Sequence, residues 1–258
     1  MLPRETVALH YRVDGTANGP VLVFSNSLGC NLHMWDAQVS ALEDRFRIVR
    51  YDTRGHGLSG HDGAPLTLER LTGDVLALMD HLEIGHAHFC GLSLGGATAL
   101  QLAVSHPERL DRVVFANTAA RIGTPEIWTE RIAGVHVGGM AAVRDAALAR
   151  FLSLPFRERN PEAARKVADM IGKTTPDGYI ACSEALRDGD LRSVVGSIAV
   201  PSLIIGSELD VSTPPAQSEW LHDAIRESEL EIIPNTAHLS CVESPRQFNA
   251  ALMNFLGR

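Results

Sequence analysis

His88-Phe89-Cys90-Gly91-Leu92-Ser93-Leu94-Gly95-Gly96-Ala97 is the stretch on which the reading of this chain turns. It sets a Gly-x-Ser-x-Gly pattern between a short apolar run, His88 to Gly91, and a helical run beginning near Leu94. A serine on so sharp a strand-to-helix turn sits in strained backbone, and the flanking glycines remove side chains that would collide there. The turn points the hydroxyl at solvent and aims the unpaired N–H groups of a helix start at a developing oxyanion. Ser93 is therefore the expected nucleophile.

Working outward, short apolar runs recur between longer helical patterns, the signature of strands alternating with crossover helices in a mostly parallel sheet. The expected strands are Thr6–Val13, Val21–Ser25, Arg47–Asp52, His88–Gly91, Arg112–Ala116, Pro201–Gly206 and Leu230–Ile233. Leu68, Leu71, Val75, Leu78, Met79 and Leu82 recur at three- and four-residue steps, marking the buried face of one helix. A last amphipathic helix is expected over Ser244–Leu256. From Arg121 to Ser197 the rhythm breaks into helical patterns without a sheet strand. Residues 121–197 are expected to form a helical lid inserted into a core of residues 1–120 and 198–258. That insertion holds eleven Lys/Arg against ten Asp/Glu, whereas the remainder holds twelve against twenty-one. Arginine there is able to draw an anionic substrate to an otherwise acidic protein, although an ordinary solvated helical surface reads equally well.

A serine hydroxyl needs a base within hydrogen-bond reach and a carboxylate to orient that base, in the chain order Ser, acid, His for this topology. Ser207-Glu208-Leu209-Asp210 follows one expected strand, and Pro234-Asn235-Thr236-Ala237-His238 follows the last. Both lie beyond strand C-termini, where open α/β sheets place their sites. Asp210 and His238 complete the expected triad, with Glu208 as the competitor for the acid. His10, His61, His81, His86, His88, His106 and His222 read as surface or packing residues. The oxyanion hole needs one N–H from the residue after the nucleophile, Leu94, and one from the loop Ser25-Asn26-Ser27-Leu28-Gly29, for which Leu28 is the choice. Asp52-Thr53-Arg54-Gly55-His56-Gly57 lacks the lysine of a phosphate-binding loop and is expected to be structural.

Composition bounds the setting. A chain of 258 residues with 45% hydrophobic content suits one large domain. Its formal charge of −8 argues against nucleic-acid binding. No run of about 18 uncharged apolar residues suggests a membrane span, and no stretch reads as a signal peptide, so a cytoplasmic location is expected. Four cysteines, Cys30, Cys90, Cys182 and Cys241, are too scattered for a zinc ribbon or a disulfide framework and are expected to be reduced and mostly buried. Nothing in the sequence sets an oligomeric state.

Taken together, these residues resemble the α/β-hydrolase superfamily and, more narrowly, its 3-oxoadipate enol-lactonase group of bacterial aromatic catabolism. The narrower likeness rests on Ser25-Asn26-Ser27-Leu28-Gly29 with Trp35 and on Ala116-Asn117-Thr118-Ala119-Ala120-Arg121-Ile122-Gly123. The broader rests on Arg50-Tyr51-Asp52-Thr53-Arg54-Gly55-His56-Gly57, Cys90-Gly91-Leu92-Ser93 and Ala237-His238-Leu239-Ser240. The resemblance implies a small anionic lactone as substrate, opened through an acyl-enzyme in the β-ketoadipate pathway, with no metal or organic cofactor. A free carboxylate on that lactone calls for a cation; Arg131 is the nominee, with Trp128 one helical turn before it as an apolar wall. A broader carboxylesterase or a perhydrolase is the alternative, and a non-catalytic small-molecule receptor is a third reading.

Overall fold

The computed structural model describes residues 7–257. Among them, seven strands form one sheet: β1 (Tyr11–Gly15), β2 (Val21–Ser25), β3 (Arg47–Tyr51), β4 (Ala87–Leu92), β5 (Leu110–Ala116), β6 (Ser202–Ser207) and β7 (Ser228–Ile233). Their order is β1-β3-β2-β4-β5-β6-β7. β1 runs antiparallel to β3, and every other neighbouring pair is parallel. Helices α1 (Asp36–Leu42), α2 (Leu68–His81) and α3 (Leu94–Ser105) lie between the early strands. Five helices follow one another between β5 and β6: α4 (Pro125–Gly138), α5 (Ala141–Phe151), α6 (Leu154–Arg159), α7 (Pro161–Lys173) and α8 (Pro176–Asp188). α9 (Pro215–Ala224) connects β6 to β7, and α10 (Ser240–Glu243) and α11 (Pro245–Leu256) come last.

The strand positions follow from burial on both faces. All six residues of β4 are buried, as are all six of β6, which is why both read as continuous apolar runs. In α2 the stripe Leu68, Leu71, Val75, Leu78 and Met79 is buried, and the Thr67 side chain caps the helix start by accepting from the Arg70 N–H. No helix among the described residues is long and apolar enough to cross a membrane.

The first strand departs from expectation. Thr6 lies outside the described residues, and β1 is Tyr11–Gly15 rather than Thr6–Val13. The reason is its partner: β3 pairs residue for residue with Tyr11 to Gly15. Residues 8–10 turn instead to the loop after β3, where the His10 carbonyl accepts from Asp52 N–H and the Ala8 carbonyl from Gly60 N–H. Alternation in the sequence reports an extended chain; it does not report where a neighbouring strand stops.

The topology also decides where a site can form. After β3 the chain passes over β2 to begin β4, so the strand order reverses beside the β2–β4 pair. Loops leaving the C-terminal ends on either side of such a switch point diverge and open a crevice between them. The segments after β2, β4, β6 and β7 all emerge at that edge.

Candidate active site

Ser93 joins β4 to α3 with φ +58° and ψ −111°. A non-glycine residue held there costs on the order of 1–3 kcal/mol, so the surroundings must over-determine it. They do. Its N–H donates to the Ala116 carbonyl at 3.0 Å, and its carbonyl accepts from Thr118 Oγ1 at 2.9 Å. Gly95 allows the close approach of the next layer, because a Cβ there would collide with the Ser25 carbonyl at the end of β2. The glycine pattern thus brings the helix start against the loop after β2.

His238 and Asp210 meet behind the serine. His238 Nδ1 lies 2.7 Å from Asp210 Oδ2, with both side chains almost fully buried. Asp210 is otherwise saturated: Oδ1 accepts from the N–H groups of Ser212 and Thr213, and Oδ2 from Thr213 Oγ1 and Asn117 Nδ2. Burial pushes this carboxyl up, but the facing His238 ring and these donors outweigh it and hold the group below its ordinary value. Glu208, the competing acid, turns away and accepts from Asn235 N–H at 2.7 Å. Ser93 and His238 line one cavity.

The two amides expected to hold an oxyanion stand apart from their neighbours. Ser27 N–H reaches Met34 Sδ, Gly29 N–H reaches His56 Nε2, Cys30 N–H the Ser27 carbonyl and Gly95 N–H the Asn26 carbonyl. Neither the Leu28 nor the Leu94 amide has an acceptor among the described residues. Asn26 braces the loop and is no donor to the cavity: Nδ2 donates to the Tyr51 carbonyl and Oδ1 accepts from Trp35 Nε1. This gives the Asn26…Trp35 pairing a physical basis.

The arginine–glycine loop is structural, as its composition suggests. Asp52 accepts from the N–H groups of Leu32 and Leu58 and pairs with His10, while Arg54 pairs with Asp62 and Asp74. At Gly57, with φ +52°, a Cβ would run into the Asp52 carboxylate. His56 does more than its surroundings imply. Because Gly29 N–H donates to its Nε2 at 3.0 Å, the ring proton must sit on Nδ1, which donates to the Arg54 carbonyl at 3.1 Å. Burial pushes its pKa down to about 4, so a neutral imidazole anchors the residue after Leu28.

Over these loops lie α4, α5 and α8. Their side chains Trp128, Arg131, Ala147, Arg150, Phe151 and Tyr179 close a cavity of about 100 Å³ against Ser27, Leu28, Ser93 and His238. Binding pockets for drug-sized molecules run to roughly 300–1,000 Å³, so this one suits a small substrate. Trp128 donates its indole N–H to the Ile122 carbonyl, and Arg131 stacks on its ring at 4.7 Å. Phe151 stacks on the His238 ring at 5.2 Å, and its carbonyl accepts from Leu239 N–H. The Glu243 carboxylate adds a clamp, accepting from Ala237 N–H beside His238 and from the N–H and hydroxyl of Ser153, the N-cap of α6.

Of the residues expected at the site, Ser93, His238, Leu28, Trp128 and Arg131 line one cavity, Asp210 pairs with His238 and Leu94 follows Ser93 at the start of α3, whereas the sequence reading assigns no site role to Arg150, Phe151, Asn117, His56 or Glu243. For Asn117 a signal existed in Ala116-Asn117-Thr118, whose two polar side chains hold Asp210 and the Ser93 carbonyl. No local signal marks Arg150 among the eleven Lys/Arg of residues 121–197.

A sheet of this order, with a serine elbow after its central strand, defines a class. Residues 20–245 match the family model for the alpha/beta hydrolase fold, and the chain belongs to that family. Within it, the chain is 39% identical over 251 residues to 3-oxoadipate enol-lactonase 2 of Acinetobacter baylyi, covering 97% of this chain and 94% of the relative. Its likeness to 3-oxoadipate enol-lactonase 1 of the same organism is 37% over 253 residues, covering 98% and 94%. Among solved structures, the enol-lactonase from Burkholderia xenovorans LB400 superimposes with a TM-score of 0.96 at 42% identity, covering 98% of each chain.

Proposed function

We propose that this protein hydrolyses 3-oxoadipate enol-lactone to 3-oxoadipate, acting as a carboxylic ester hydrolase with Ser93 as nucleophile. One observation carries the substrate: near-full-length likeness, at 39% and 42% identity, to an enol-lactonase sequence and an enol-lactonase structure. The chemistry is supported by the residues. His238 takes the Ser93 hydroxyl proton as the oxygen attacks the lactone carbonyl, and Asp210 holds the ring in the tautomer with its proton on Nδ1. The carbonyl oxygen gains charge between the free Leu28 and Leu94 amides. Collapse breaks the ring C–O bond, and the enol oxygen leaves with the proton from His238. The enol then tautomerises to the ketone. Water, deprotonated by His238, cleaves the acyl-enzyme and restores Ser93.

In this reading residues 121–197 act as a lid that shapes the cavity, with Trp128 as an apolar wall and Arg131 beside it. The four cysteines are free and buried, which accords with a reducing, cytoplasmic setting. The test is paired. A fluorophosphonate probe should label the wild type and not Ser93→Ala, and the enol lactone should be turned over far faster than 4-nitrophenyl acetate. An unlabelled wild type sinks the nucleophile; equal turnover of lactone and simple ester sinks the lactonase assignment.

A further inference from the structure

We propose that Arg150 sets the specificity of this site, its guanidinium receiving a free carboxylate on the substrate whose ester or lactone carbonyl lies at Ser93. The proposal rests on the hydrolytic reading above and names the residue that selects the substrate's charge.

Arg150 stands in the last turn of α5, half-buried and lining the same cavity as Ser93 and His238. Its Nε is wholly buried and has no hydrogen-bond partner, and no carboxylate pairs with it among the described residues. Other shielded arginines are provided for: Arg50 pairs with Asp14 and Asp36, Arg54 with Asp62 and Asp74, and Arg109 with Asp80. Arg131 has the face of Trp128. Arg150 has instead a second positive charge nearby, and burial together with Arg131 depresses its pKa. Partly desolvating a guanidinium without a counter-charge is unfavourable, and a neighbouring cation adds to the cost. An anion that enters the cavity relieves both, and a carboxylate matches the planar fork in two parallel hydrogen bonds.

The position is also held relative to the chemistry. The next residue is Phe151, whose ring stacks on His238 and whose carbonyl is bonded to Leu239 N–H. The cation and the catalytic base therefore sit on a shared brace, so the distance between substrate carboxylate and scissile carbonyl is selected along with the charge. Arg131 and Arg150 also both line a groove between α4 and α5 on the outer side of the cavity. Glu130, the carboxylate lining that groove, forms no ion pair with either guanidinium among the described residues. An anion arriving by that route meets both cations.

The experiment uses a neutral reporter, so it does not depend on the enol lactone. Competitive inhibition of 4-nitrophenyl acetate hydrolysis is measured with 4-oxopentanoate and with its uncharged amide, for wild type, Arg150→Met, Arg150→Lys and Arg131→Met. The wild type should prefer the carboxylate. Arg150→Met should weaken inhibition by the carboxylate by about a hundredfold while moving the amide far less, and Arg150→Lys should fall between. Arg131→Met should change the ratio by much less. No preference in the wild type, equal losses for both inhibitors, or the loss appearing in Arg131→Met alone overturns the proposal. If melting curves show Arg150→Met to be unfolded, Arg150→Lys carries the test, since loss of the fork should weaken the carboxylate alone by about tenfold. Failure of the lactonase reading would look different: an idle wild type on enol lactone with the inhibition pattern intact.

Discussion

Two charged side chains at the candidate site, Asp210 buried and Arg150 half-buried, are treated in opposite ways. In the sheet-derived core, Asp210 accepts from two backbone amides, a threonine hydroxyl, the Asn117 amide and His238. In the helical insertion, Arg150 leaves its buried Nε with no partner. A carboxylate given every acceptor contact within the chain is finished when the protein folds. A guanidinium whose buried Nε is left without a partner is completed by a ligand. In the proposed reading, the contrast separates what performs the reaction from what chooses the molecule.

The strongest challenge to that division is Asp210→Asn. The amide has nearly the same shape, so the fold should persist, but it destabilises the His238 tautomer and the imidazolium that forms. kcat should fall by about 10⁴-fold on charged and neutral substrates alike. A loss confined to anionic substrates would mean that the core, too, reads substrate charge.

A smaller effect should come from the tie between the two regions. Glu243→Ala removes the carboxylate that joins Ser153, after α5, to Ala237, beside His238. Each lost hydrogen bond is worth about 1 kcal/mol, and kcat/KM should drop by about tenfold through misplacement of the brace. Because charge recognition and catalysis hang on the same brace, charged and neutral esters should suffer together. Steady-state kinetics on both checks this; an unchanged kcat/KM would show that the insertion is held elsewhere.

The smallest effect concerns pH. The His56 ring binds a proton near pH 6.5 when unfolded but only near about 4 when folded. The folded state therefore binds fewer protons across that window, and stability falls as pH drops through it, by roughly 3 kcal/mol at the limit. His56→Gln retains an acceptor for Gly29 N–H and removes the titration. Urea melts at pH 8 and pH 4.5 should show the variant losing less stability on acidification than the wild type. A constant gap between the two would mean that His56 is not held neutral.

Much of the candidate site was legible because its signals are local. Gly91, Ser93 and Gly95 specify a backbone turn within five residues, Asp210 follows β6, whose six residues are all buried, and His238 follows the edge strand β7, marked by Leu230, Ile232 and Ile233. The strand bounds fall within two residues of expectation except at β1, where the partner's length decides. The roles of Asn117, His56 and Glu243 were not legible in the same way. Each acts by a hydrogen bond across 6 to 93 positions of chain, and no spacing rule reports such a bond.

The sequence by itself determined the fold class, the sharp turn at Ser93 and the run of helices between β5 and β6, because turn chemistry and hydrophobic period act over a few residues. Only the tertiary structure decided that Asn117 and Thr213 saturate Asp210, that His56 anchors Gly29 and which of many arginines lacks a partner. Those are properties of pairing, and pairing exists only once distant segments have packed and water has been excluded between them.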